Sequence, residues 1–122
     1  MIVSVFVRRL KEGATFEQFI KEWEADVGFG VPTRVFNSVS LTDPRDVLTI
    51  GFVDISVQDL EQALAGPLPT EAVRHERIET VIESTELKQM YELRTEHDFT
   101  QEPREIELAS AESLMRGLVL GE

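Results

Sequence analysis

Two histidines, one tryptophan, one tyrosine and no cysteine narrow the chemistry open to this 122-residue chain. His75 is followed one helical turn later by Glu79, a spacing that suits two metal ligands or a paired base. Two ligands do not close a metal site, and an ordinary surface histidine paired with Glu79 accounts for the same pattern. His97 stands between Glu96 and Asp98, where its neighbours keep an imidazole solvated. With no cysteine and no cluster of histidine and carboxylate, the expectation is a protein with neither a metal nor another cofactor. Arg8 sits on a strand face shared with Ile2 and Phe6. Aimed inward, its guanidinium could bind an anionic or enolate substrate; the alternative is a carboxylate partner, because a buried charge must be compensated. Asn37 and Tyr91 are polar groups on mainly apolar strand faces. That is the pattern of orienting groups in a small-molecule pocket, and equally of satisfied hydrogen bonds at an interface. Trp23 belongs to a helical apolar stripe and reads as core, with the lining of an apolar ligand pocket as its alternative. Arg8, Trp23, Asn37, His75 and Tyr91 are therefore the pocket candidates. The chain has no Gly-x-Gly-x-x-Gly, no Walker loop and no nucleophile elbow.

The elements that must position these residues are legible in the pattern. Ile2 to Leu10 is rich in β-branched residues, with Val3, Val5 and Val7 on one face. Thr15 and Gln18 form a capping box ahead of a helix striped by Phe16, Phe19, Ile20, Trp23 and Val27. Gly28, Gly30 and Pro32 stop it. Thr33 to Leu41 alternates, with Val35, Asn37, Val39 and Leu41 on one face, and turns through Thr42–Asp46. Val47 to Ile55 returns as a strand apolar on both sides, which places it centrally in a sheet. Gly51 within it marks a bulge or a close approach. Ser56 and Asp59 cap a short helix through Leu64, ended by Gly66-Pro67. A further helix from about Thr70 to Glu83 buries Val73, Ile78, Val81 and Ile82, and Leu87 to Thr95 is the last strand. The order β-α-β-β-α-β predicts an α+β, ferredoxin-like unit: a four-stranded antiparallel sheet with its helices on one face. Glu105 to Leu118 offers one more helix, with Leu108, Ala111, Met115 and Leu118 in its stripe. The expected organisation is a domain over 1–98 and a helical extension over 99–122 that docks on the dimer.

Composition bounds the partners. Twelve basic against 23 acidic side chains give a net charge of −11 and a pI near 4.6. Such an anion is repelled by nucleic acid and by anionic membranes, so neither is expected as a partner. No apolar run reaches the roughly 20 residues of a membrane helix. The basic residues of the opening segment follow its apolar stretch, the reverse of a secretory signal, so a cytoplasmic location is expected. Two helices cover one face of a four-stranded sheet. The other face carries apolar residues whichever parity is chosen, and a second copy packed sheet to sheet is the economical cover.

Four stretches resemble the dimeric α+β-barrel superfamily, especially its antibiotic-biosynthesis-type monooxygenases. They are Ile2-Val3-Ser4-Val5-Phe6-Val7, Lys11-Glu12-Gly13, the hairpin Leu41–Leu48 with its Asp43-Pro44 turn, and Ile55–Leu64. The resemblance covers about residues 1–98. It implies a homodimer and a pocket for an apolar or aromatic small molecule, with cofactor-independent monooxygenation of an aromatic or polyketide-like substrate as the activity. The alternatives are a ligand-binding module without turnover and a structural dimer with a filled interior. Haem-degrading relatives use an Asn on the first strand with a Trp and a His; this first strand has no Asn, so that triad is not carried over.

Overall fold

The computed structural model describes residues 1–24, 31–64 and 69–108. In chain order the elements are β1 (Ile2–Leu10), α1 (Phe16–Trp23), β2 (Thr33–Val39), β3 (Asp46–Val53), α2 (Val57–Leu64), α3 (Pro69–Glu79), β4 (Ile82–Glu92), β5 (Glu96–Asp98) and β6 (Arg104–Ile106). Strands β1 to β4 form an antiparallel sheet in the order β2-β3-β1-β4. This is the ferredoxin-like α+β arrangement, with β3 central as its two apolar faces require. No helix among the described residues is long and apolar enough to cross a membrane.

The start of α1 follows from two side chains. Thr15 Oγ1 accepts from the Gln18 amide at 3.2 Å, and Gln18 Oε1 accepts from the Thr15 amide at 2.9 Å. Two amide donors that a helix start would leave open are thus satisfied reciprocally. Phe19 of α1 and Ile78 of α3 then meet Leu10, Val47 and Ile82 of the sheet in the buried core, with Trp23 packed against it. Thr15→Ala should therefore cost about 1 kcal/mol of unfolding free energy, read as an earlier midpoint in urea at unchanged slope.

The β2–β3 turn is fixed by Asp43. Its carboxylate accepts from Arg9 Nη1 at 2.9 Å and from the Arg45 amide at 3.0 Å, while Arg45 Nε donates to the Leu10 carbonyl at 3.0 Å. The Arg9 hydrogen bond, then the Arg45 amide, hold the Asp43 carboxyl below its ordinary value of 3.8. A carboxyl whose value is depressed by folding stabilises above its unfolded value and loses that contribution as pH falls through the folded one. Asp43→Asn should thus destabilise at neutral pH, and the difference from the natural protein should shrink in denaturation curves taken below pH ~4.

Several boundaries differ from the sequence expectation. Strand β2 stops at Val39, because the Ser40 hydroxyl takes the Thr42 amide at 3.2 Å and turns the chain, leaving Leu41 fully exposed. Helix α3 ends at Glu79, and Thr80 closes it by donating its hydroxyl to the Arg77 carbonyl at 2.6 Å. Ile82 is buried, but as the first residue of β4, and Val73 is 57% exposed rather than core. The last strand of the sheet is accordingly Ile82–Glu92, not Leu87–Thr95. Glu105 opens no helix: it pairs with His97 in the small β5–β6 hairpin. Leu108 is described and is not helical. The rest of that expected stripe, together with Val27, Gly28, Gly30 and Gly66-Pro67, lies outside the described residues.

Candidate functional site

Strand pairing decides which candidates can meet. Arg8 opposes Val47, which is buried in the helix-covered core, and Asn37 opposes Thr49 two residues further along β3. Period-2 alternation then puts Phe6, Arg8, Thr49 and Asn37 on the same, inner face. The side chains form a chain of contacts there. Arg8 Nη1 donates to Thr49 Oγ1 at 3.4 Å, and Thr49 Oγ1 donates to Asn37 Oδ1 at 2.6 Å. The Arg8 guanidinium carbon lies 4.2 Å from the Phe6 ring centroid and 5.8 Å from that of Phe19.

Arg8 is only 3% exposed, yet among the described residues it pairs with no carboxylate. Its charge is held by one long neutral hydrogen bond and two aromatic faces. Burial, and then the positive charge of Arg74, pull its pKa down to about 10. It remains a cation at neutral pH, in a setting that disfavours the charge.

Helix α3 brings two more candidates close. The half-buried His75 ring lies 6.4 Å from that of Phe6, tilted by 40°, so it faces the sheet and is not the ordinary surface histidine that the sequence also allowed. Trp23 closes α1; Arg74 Nη1 donates to its carbonyl at 3.1 Å, and the Arg74 guanidinium stands 5.3 Å over its ring. Arg8 and His75 thus stand beside Phe6, Asn37 is linked to Arg8 through Thr49, and Trp23 is held by Arg74. Tyr91 does not join them. It opposes Val3 and is 46% exposed on the other face of the sheet. No group of three or more His, Asp or Glu among the described residues could hold a metal.

Sequence reasoning passed over three participants. Thr49 carries the link between Arg8 and Asn37; its signal was a lone polar residue at the inward parity of a strand otherwise apolar. Phe6 is the platform under Arg8. Lys88, directly across from Phe6 on β4, holds its Nζ 5.9 Å from the same ring. Further along this face Ser4 closes in on Gly51: an added Cβ there would come within 2.7 Å of Ser4 Oγ. Lys88 and the 45% exposed Met90 mark the side on which the inner face meets solvent. An open depression at the far end of the sheet, lined by Met1, Asp54, Ser56, Asp59 and Gln62 among others, contains none of the candidates.

The opposite face is apolar along β1 and β3 from Leu48 to Phe52, with Arg34, Ser38, Gln89 and Tyr91 on the outer strands. Val3, Val5 and Val7 of β1 are flanked by Phe52, Ile50 and Leu48 of β3, with Phe36 and Leu87 beyond them. Phe36 and Phe52 meet edge to face at 6.2 Å. Helices α1 and α3 pack on the inner side, while Leu87 and Tyr91 of this face are 39% and 46% exposed.

The sequence matches no family model and no curated protein. The structure does find a relative in shape. It is similar to the crystal structure of a "putative antibiotic biosynthesis monooxygenase" from Chloroflexus aurantiacus J-10-fl, at a TM-score of 0.54 and 12% identity. The two share a fold. The alignment covers 80% of this chain and 96% of the Chloroflexus protein, and agrees with the resemblance read from the strand and turn segments. At that identity the likeness speaks for the path of the backbone alone.

Proposed function

We propose that this chain is a small-molecule pocket protein that binds an anionic aromatic compound against Phe6, with Arg8 as its counter-ion. The observation that carries this is the buried guanidinium without a carboxylate. Leaving such a charge uncompensated costs several kcal/mol, and an incoming anion removes that cost. Because Arg8 is nearly enclosed, the ligand must part the side chains above it, which slows association below the usual docking rates. The chemistry that fits is cofactor-independent monooxygenation of an aromatic or polyketide-like substrate. Arg8 would stabilise the deprotonated substrate; dioxygen would put one atom on a ring carbon as a carbonyl, and the two hydrogens that carbon loses would leave with the other atom as water, the substrate itself being the reductant. The name of the Chloroflexus protein supports this choice over mere binding. The protein acts as a homodimer joined through its apolar sheet faces, because an apolar surface of that extent is seldom left in water.

Thermal melts separate these readings. Naphthoate at millimolar concentration should raise the melting temperature by several degrees, and its neutral amide should not. Equal shifts from both, or none from either, would refute the counter-ion role of Arg8. Oxygen uptake with dihydroxynaphthalene then reports turnover; binding without uptake leaves a ligand-binding module.

A further inference from the structure

Phe6 carries a second cation besides Arg8. Lys88 lies across from it on β4 and stands over the same ring, 5.9 Å from the centroid against 4.2 Å for the Arg8 guanidinium carbon. Acidic side chains outnumber basic ones 23 to 12 in this chain, and Arg9, Arg45, Arg94 and Arg104 each pair with a carboxylate. Arg8 and Lys88 pair with none among the described residues. One is enclosed and the other exposed, so the ring between them has a cation at its inner end and another where the face opens to solvent. An aromatic ligand stacked on Phe6 with a single acid would satisfy only the inner one.

We infer that the ligand class is an aromatic diacid, one acidic group held by Arg8 and the second by Lys88 at the mouth of the site. This rests on the reading of Arg8 as a ligand counter-ion. The two cations differ in what they contribute. Arg8 is desolvated and offers a planar fork, so it dominates affinity. Lys88 is hydrated and mobile, so it sorts diacids from monoacids by a smaller factor that salt screens. A flexible ammonium also tolerates more than one spacing between the two acids.

Calorimetric titration of the natural protein with benzoate, phthalate, isophthalate and terephthalate tests this. At low salt at least one dicarboxylate should bind about ten-fold more tightly than benzoate. Lys88→Gln should bring every dicarboxylate down to the affinity of benzoate for the same variant, and added salt should narrow the advantage in the natural protein. Benzoate binding with no dicarboxylate advantage, or an advantage that survives Lys88→Gln, would overturn the role of Lys88 and leave Arg8 as the counter-ion. Failure of all four to bind would overturn the counter-ion reading and the diacid with it.

Discussion

Arg8→Met should give a protein that melts several degrees higher than the natural one and no longer binds anionic aromatics. Methionine fills a similar volume without a charge, and replacing buried charge by packed apolar atoms commonly gains about 1–4 kcal/mol. Loss of the cation over Phe6 gives back about 1–2 kcal/mol of that. Thr49 still donates to Asn37 at 2.6 Å, so the substitution strands no buried polar group. The net expectation is a gain of about 1–2 kcal/mol, with affinity for naphthoate down by about 100-fold. Stability and binding thus move in opposite directions, as they do when a residue is retained for a ligand. A variant that melts lower while still binding naphthoate would show that Arg8 is a packing residue. Calorimetry and titration on one sample decide between them.

Ile50→Lys should turn the proposed dimer into monomers. Ile50 lies on β3 opposite Val5 and Phe36, in the middle of the apolar outer face. Two-fold symmetry buries two such ammonium groups at once, among Val5, Phe36, Leu48 and Phe52, which offer them no carboxylate. The cost is several kcal/mol per dimer, so the dissociation constant should rise by at least about 1,000-fold. The substitution also lowers the magnitude of the net charge from 11 to 10, so general self-repulsion cannot explain a weaker dimer. Sedimentation at micromolar concentration should show a single chain mass for the variant and twice that for the natural protein. A natural protein that sediments as a monomer ends the dimer proposal.

How much of this was legible in the sequence depended on whether local chemistry or strand register set the outcome. The Thr15–Gln18 capping box, the Asp43-Pro44 turn and the Ser56 cap are decided within four or five residues, and each is found where it was expected. Strand β4 was misplaced for a physical reason. Its pairing with β1 shifts between Val7 and Arg8 and again between Arg9 and Leu10, so its inward residues run Ile82, Thr85, Lys88 and then Met90. Two bulges stretch a period of two to a period of three, which next to Ile78 and Val81 imitates a helical stripe. Among the site candidates, Asn37 and Arg8 each had the right parity, but Thr49, which joins them, is recognisable only once β2, β3 and β1 are in register. Tyr91 shared its strand with Lys88 and had the wrong parity; nothing in the local sequence of β4 says which face meets the helices.

The position of β1 at the centre of the sheet has a further consequence during synthesis. Ile2 pairs with Glu92, and the whole of β1 needs β4 on one side. At about 5–20 residues per second, the interval between making these two strands is on the order of 5–20 s. For that time the nascent chain presents Val3, Val5 and Val7 beside an open row of amides and carbonyls, the template on which other chains add as strands. Ile82, the core residue that β4 contributes, also arrives only then. A ribosome stalled before β4 therefore holds a chain that cannot complete its sheet, and such chains belong to chaperones rather than to the folded pool.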